Sequence, residues 1–126
     1  MMRGIHRYKQ SRNQSSSKAH LVVMLYQESI QRLLKAERAL GSHDGHWLSD
    51  VHHARAIILE LMGGLDDKQA PEFCAQMRAL YGWSLEELIA VGRDKDPAHL
   101  ANVRDVLTTL LDGWRVAARG PALAAV

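Results

Sequence analysis

The sequence predicts an all-α protein, an antiparallel up-down four-helix bundle with a flexible N-terminal arm. Helix-forming residues dominate every long segment. Apolar residues recur every three or four positions in four segments of about 20 residues each. The segments between them are short and carry Gly, Pro or Asp, and short loops favour antiparallel neighbours. A chain of 126 residues accommodates this architecture as one domain.

The first predicted helix has an apolar side wider than a single packing face requires. Its apolar residues spread over about 180°, whereas an ordinary core-facing stripe covers about 100°. Glu37 is the only charged residue within this arc. We therefore expect either that two neighbouring helices cover the arc or that part of it binds a partner. The arc contains Val22, Val23, Leu25, Tyr26, Ser29, Ile30, Leu33, Leu34, Ala36 and Leu40.

Capping residues and helix breakers set the predicted boundaries. Ser16 or Ser17 offers an N-cap for the first helix. Pro71 suits the first turn of the third helix, and Asp96 can cap the fourth. The predicted units are an arm over residues 1–16, a bundle over 17–119 with helices at about 17–41, 46–66, 71–93 and 97–119, and a C-terminal tail over 120–126.

Charge is unevenly distributed along the chain. The net charge is +2, yet residues 1–20 carry five cations and no acid, which leaves −3 on the remainder. Such an arm is usually solvated, although it can also bind phosphates. The lone Cys74, the lack of a secretory signal and the lack of an apolar run of about 18 residues predict a cytoplasmic protein without a membrane segment.

The residues that could support catalysis or metal binding do not form a recognisable site. No glutamate is followed by histidine three residues later, as a di-metal bundle requires. Cys74 stands without a Cys-x-x-Cys partner, and no nucleophile lies beside a base in the sequence. Glu86 and Glu87 diverge by about 100° on a helix and are expected on a solvated face. We expect no enzymatic activity, no cofactor and no metal site.

Several motifs, taken in order, give the chain a family resemblance. It resembles the flagellin-specific export chaperone family FliS from about Gly4 to Ala117. The motifs are Gly4-Ile5-x-x-Tyr8, Met24-Leu25-Tyr26, Ala54-x-x-Ile57-Ile58-x-Glu60-Leu61-x-x-x-Leu65-Asp66, Leu80-Tyr81, Asp94-Lys95-Asp96 and Asp112-Gly113-Trp114.

The resemblance implies a cytoplasmic chaperone that binds the C-terminal helical segment of flagellin. Such a protein would prevent premature assembly and deliver its client to the export apparatus, with export-gate components as further partners. It would be a monomer or a weak homodimer. The implied N-terminal cap consists of Ile5 and Tyr8. The implied client-binding groove consists of Leu25, Tyr26, Ser29, Leu33, Leu61, Leu65, Tyr81 and Leu88.

The chain also departs from the family pattern. Gln27-Glu28 follows the Met-Leu-Tyr motif where the family usually has an acid or asparagine and then glycine, and Glu86-Glu87 stands where it usually has two arginines. Replacing cations by anions should alter which partners are attracted. The alternative function is a helical adaptor or regulator that dimerises or binds another flagellar partner. Nucleic-acid binding through the basic arm is a third possibility, but we do not expect it.

Overall fold

The computed structural model describes residues 15–43 and 45–119, and this part of the chain is a bundle of four helices. They are α1 (Ser15–Gly41), α2 (Trp47–Gly63), α3 (Pro71–Asp94) and α4 (Ala98–Arg119). No strand occurs within these residues. The predicted fold class is confirmed. Residues 1–14 and 120–126, which hold most of the expected arm and the whole tail, lie outside the described residues.

The four helices pack in a ring. Consecutive helices contact each other, and α1 and α4 close the ring by packing against each other. Helix α1 makes its extensive contacts on two sides, with α2 and with α4. Every residue of its wide apolar arc is consequently buried or half-buried. Two neighbouring helices therefore cover the arc, the first of the two alternatives that the sequence left open.

Aliphatic side chains and two tyrosines form the core. Tyr26, Leu33, Ile57, Leu100 and Leu107 are among its fully buried residues, and each comes from the inner stripe of its helix. Burying such side chains contributes about 1.5–3 kcal/mol each, before the entropy of ordering them is subtracted. Packing of inner stripes rather than helix propensity therefore stabilises the bundle.

Two of the predicted signals lie at observed helix boundaries, whereas α2 ends at Gly63, before its predicted end at residue 66. Pro71 lies in the first turn of α3, and the Asp96 carboxylate accepts a hydrogen bond from the Ala98 amide at 2.9 Å, just before α4. Lys95 ends α3 in the left-handed conformation with φ of 57°, and its amide donates to the Val91 carbonyl. Helix α1 differs, because it already includes Ser15, so Ser16 and Ser17 lie inside its first turn rather than capping it.

Ion pairs between helices fix their relative positions. Glu37, the one charge in the apolar arc, lies opposite α4, where the Arg104 guanidinium donates two hydrogen bonds to it, at 2.6 and 3.1 Å. Between α1 and α2, the Arg32 guanidinium donates to Asp50 at 3.2 Å. The paired, bidentate geometry explains how a carboxylate is tolerated on the packing side of α1.

Candidate functional site

An apolar groove runs between α2 and α3 on the surface of the bundle. We call it the α2/α3 groove; its volume is about 280 Å³. It opens to solvent rather than enclosing a cavity. Its lining is Trp47, Leu48, Val51, His52 and Arg55 from α2, with Leu88, Ile89 and Gly92 from α3.

A row of residues along the outer side of α2 continues one wall of this groove. Leu48, His52, Arg55 and Leu59 follow one another at intervals of four, three and four residues, which places them on one stripe of the helix. Leu48 is 44% exposed, Leu59 is 45% exposed and Ile89 across the groove is 56% exposed. Large apolar side chains are therefore presented to water on both walls, which is typical of a binding groove.

Gly92 leaves the groove open at its α3 wall. A Cβ atom added to Gly92 would meet no neighbouring heavy atom within 4 Å. On the α2 wall, His52 and Arg55 are exposed and have no ion-pair partner within the described residues. The groove thus combines an apolar floor with one cation on its rim, Arg55, which favours a segment that carries both apolar and acidic side chains.

The structure places most of the predicted client-binding residues in the core of the free protein. Six of the eight are buried, and one of these, Leu88, also lines the floor of the α2/α3 groove; the six are Tyr26, Ser29, Leu33, Leu61, Tyr81 and Leu88. Leu25 and Leu65 are half-buried against the core. Ile5 and Tyr8, the predicted cap, lie outside the described residues.

Two of these core residues join α1 to α3 through a buried hydrogen bond. The hydroxyl oxygens of Tyr26 and Tyr81 lie 2.7 Å apart. Burial raises the pKa of both phenols, so both stay protonated. The Tyr26 ring also packs against Trp114 with centroids 6.2 Å apart, while the Ser29 hydroxyl donates to the Tyr26 carbonyl. The Met24-Leu25-Tyr26 and Leu80-Tyr81 motifs therefore meet inside the bundle.

A histidine links the end of α3 to the start of α4. His99 lies between two carboxylates: its Nδ1 is 3.0 Å from Glu87 Oε2, and its Nε2 is 2.7 Å from Asp94 Oδ2. Ionised carboxylates only accept hydrogen bonds, so both ring nitrogens must carry a proton for both contacts to form. The hydrogen bonds to Asp94 and Glu87 raise the pKa of His99 above its ordinary value of 6.5. The expectation of a solvated acidic pair is correct for Glu86, which is exposed, and wrong for Glu87, which is half-buried in this contact.

We expect the stability of the bundle to fall as pH rises through the titration of His99. A raised pKa in the folded protein means that the stabilisation is complete below pH 6.5 and is lost as pH passes the folded value. The pKa of Asp94 is lowered, so the stabilisation from its ionised carboxylate is lost only at acidic pH, as the pH drops. Urea unfolding followed by circular dichroism from about pH 6 to about pH 9 should show a decreasing midpoint.

The matched variants for this experiment are His99→Gln and His20→Gln. His99→Gln should flatten the pH dependence, whereas His20→Gln, at an exposed histidine of α1, should retain it. An unchanged slope in His99→Gln would contradict the assignment.

Three further observations on the described chain concern metal binding, membrane spanning and the free cysteine. Over residues 15–43 and 45–119, no three His, Cys, Asp or Glu side chains gather in a way that could hold a metal ion. No helix among the same residues is sufficiently long and apolar to span a membrane. Cys74 is buried, and its thiol lies 3.3 Å from the Asp66 carbonyl oxygen.

The described chain is a small four-helix bundle with an open apolar groove on its surface. Sequence comparison identifies which such bundle this is. The profile of the family described as flagellar protein FliS matches residues 1–121, so the chain belongs to the FliS family.

A solved structure has the same fold. A bacterial structure described as a flagellar chaperone superposes with a TM-score of 0.70 at 21% sequence identity, covering 92% of this chain and 95% of that one. A search of curated proteins finds no match to this chain.

Sequence reasoning missed the α2/α3 groove because the predicted client-binding residues came from the family resemblance, and Leu48 was not among them. The structure shows Leu48 on the outer stripe with His52, Arg55 and Leu59. The signal was present in the sequence: two leucines flank a histidine and an arginine at helical spacing, a pattern that a core-facing stripe does not use.

Proposed function

We propose that this protein is a cytoplasmic chaperone that binds the C-terminal segment of flagellin. It would hold that segment until the flagellar export apparatus receives it, and so prevent premature assembly. The single observation that supports this function best is the exposed apolar α2/α3 groove in a chain of the FliS family. The related solved structure, described as a flagellar chaperone, supports the same function.

The groove suits a helical client better than a small molecule. Its two walls are antiparallel helices with exposed Leu48 and Ile89, so a client helix can insert apolar side chains at intervals of three and four residues. Arg55 would attract acidic residues flanking that stripe. Covering the groove would also remove large apolar side chains from water, in the client and in the chaperone alike.

Replacing Ile89 by lysine should weaken binding of a flagellin C-terminal peptide by at least about tenfold. Burying an isoleucine side chain contributes about 1.5–3 kcal/mol, and a lysine in its place would have to be desolvated. Ile89 is 56% exposed, so the free protein should keep its fold. Titration calorimetry gives the affinity, and circular dichroism checks the helix content.

Val116→Lys is the matched control, because Val116 is a 63% exposed apolar residue of α4 outside the groove. It should bind the peptide like the natural chain. Equal affinities for Ile89→Lys and Val116→Lys would place the client elsewhere. If the natural chain gives no binding heat with the peptide and no change in hydrodynamic size, the proposed function itself is contradicted.

The same groove also supports the alternative of an adaptor that pairs with a second copy of itself, since exposed apolar surface favours self-association. Light scattering after size exclusion separates the two possibilities. A dimer that Ile89→Lys dissociates, and that does not take up the peptide, would favour the adaptor.

A further inference from the structure

A second surface depression lies between α1 and α4. We call it the α1/α4 notch; its volume is about 200 Å³. It is lined by His20 and Val23 near the start of α1 and by Arg115, Ala118 and Arg119 at the end of α4. In the ring of helices, the α1–α4 contact lies opposite the α2–α3 contact, so the notch and the α2/α3 groove are on opposite sides of the bundle. A partner in one of them would leave the other open.

The two ends of the seam between α1 and α4 differ in charge. At one end, the Glu37 carboxylate accepts two hydrogen bonds from the Arg104 guanidinium. Arg115 and Arg119 follow Arg104 after eleven and fifteen residues, which places all three arginines on one side of α4. Arg115 is therefore about 17 Å further along the helix axis. Across the seam from it, α1 carries no acid between residues 15 and 27, so the arginines of the notch have no counterpart to Glu37.

Both arginines of the notch are available to an anion. Arg115 and Arg119 are exposed. The one carboxylate near Arg115 belongs to Asp112 of the same helix, at 4.0 Å, and its side chain is 75% exposed. An exposed pair of this kind contributes little and exchanges readily. Arg119 forms no ion pair with any residue of 15–43 or 45–119.

The lining between the arginines is apolar, which distinguishes the notch from a simple basic patch. Val23 and Ala118 are half-buried there. A polyanion such as nucleic acid suits this surface poorly, because the exposed carboxylates of Asp105 and Asp112 also lie on α4. A carboxylate next to an apolar side chain matches both features, since it can pair with the guanidinium groups while its neighbour covers the apolar lining.

We propose that the α1/α4 notch binds an acidic and apolar segment of a partner polypeptide. A carboxylate of that segment would accept hydrogen bonds from Arg115 and Arg119, as Glu37 does from Arg104 at the other end of the seam. The partner would bind whether the α2/α3 groove is filled or empty. The proposal concerns a surface that the client does not use, so its failure leaves the proposed function standing.

Nuclear magnetic resonance of the full chain with a synthetic peptide tests this proposal. The peptide is helical and carries glutamates beside one stripe of leucines. Addition of the peptide should shift the methyl resonances of Val23 and Ala118, which report the notch separately from Ile89 in the α2/α3 groove. The same peptide with glutamine at each glutamate should bind the notch at least about tenfold more weakly. Higher salt should also weaken binding, because the charges involved are exposed.

Charge reversal at the notch supplies the variant for this titration. Arg119→Glu should weaken peptide binding at the notch at least about tenfold, because like charges then meet. Lys35→Glu, at an exposed cation of α1 outside the notch, is the matched control and should bind like the natural chain. Circular dichroism checks that both variants keep the helix content of the natural chain.

Four results would overturn the proposal. The first two are peptide-induced shifts confined to Ile89 and an unchanged affinity of the notch in Arg119→Glu. Stronger binding of a single-stranded DNA oligonucleotide than of the peptide would assign the notch to nucleic acid. A dimer that light scattering detects and that Arg119→Glu dissociates would assign it to a second copy of the chain.

Discussion

The Gly92→Phe change is expected to abolish binding of the flagellin C-terminal peptide while the bundle stays folded. Gly92 lines the α2/α3 groove on α3, and a Cβ atom there would meet nothing within 4 Å. A phenyl ring can therefore extend into the groove and occupy the volume that a client side chain needs. Gly92 is helical, and replacing a helical glycine removes a cost of about 0.5–1 kcal/mol, so the free protein should not be destabilised.

Two companion variants make this experiment decisive. Gly113→Phe places the same ring on a helical glycine of α4 that also has open space around it, and it should bind the peptide normally. Gly92→Ala should be slightly more stable than the natural chain and still bind, because a methyl group fills little of the groove. Titration calorimetry measures the peptide affinity, and thermal unfolding measures the stability of the bundle. Normal peptide affinity in Gly92→Phe would show that the client does not use this groove.

The fold was predictable because residues close together in sequence mark the boundaries and the buried side of each helix. Pro71 and Asp96 mark the starts of α3 and α4, and the inner stripes of all four helices are regular. The wide arc of α1 also agrees with the ring of helices, because a helix packed against two neighbours needs two apolar sides. Local signals of this kind depend on residues only a few positions apart, so a single sequence contains them.

The site was less predictable because a helical wheel does not distinguish a core stripe from a groove stripe. Tyr26 and Leu33 lie on the apolar side of α1, and the sequence alone allows that side to face either a neighbouring helix or a client. The structure buries both completely. The exposed Leu48 and Ile89 become visible as a pair only when α2 and α3 are placed side by side.

Long-range charge pairs show the same limit. Glu37 was identified as an exception within the apolar arc, but its partner Arg104 lies 67 residues away. Glu87 was expected in solvent, whereas His99 draws it into a contact between α3 and α4. Neither partner could be chosen from sequence, because several cations were available and only the packing of the helices selects one.

Removing the Tyr26 hydroxyl is expected to destabilise the bundle by about 1–3 kcal/mol, because the Tyr81 hydroxyl would remain buried without a partner. The Tyr81→Phe change should cost less, because the Tyr26 hydroxyl keeps its side-chain hydrogen bond with Trp114. In the double variant neither hydroxyl of the pair remains, so the loss of stability should be smaller than the sum of the two single losses. Urea unfolding of the four proteins gives the coupling energy, which contacting buried residues of this kind place at about 0.5–3 kcal/mol.

The same variants decide whether Tyr26 belongs to the core or to a client-binding surface. A core residue whose ring is retained should leave the peptide affinity within about twofold while stability falls, since phenylalanine preserves the packing against Trp114. Ser84→Ala is the matched control: its buried hydroxyl donates only to the Leu80 carbonyl within α3, so its loss strands no distant partner. Weaker peptide binding by Tyr26→Phe at unchanged stability would mean that the client opens the bundle and reaches the hydroxyl pair. In that case the groove predicted from Tyr26, Ser29 and Tyr81 would form only in the complex.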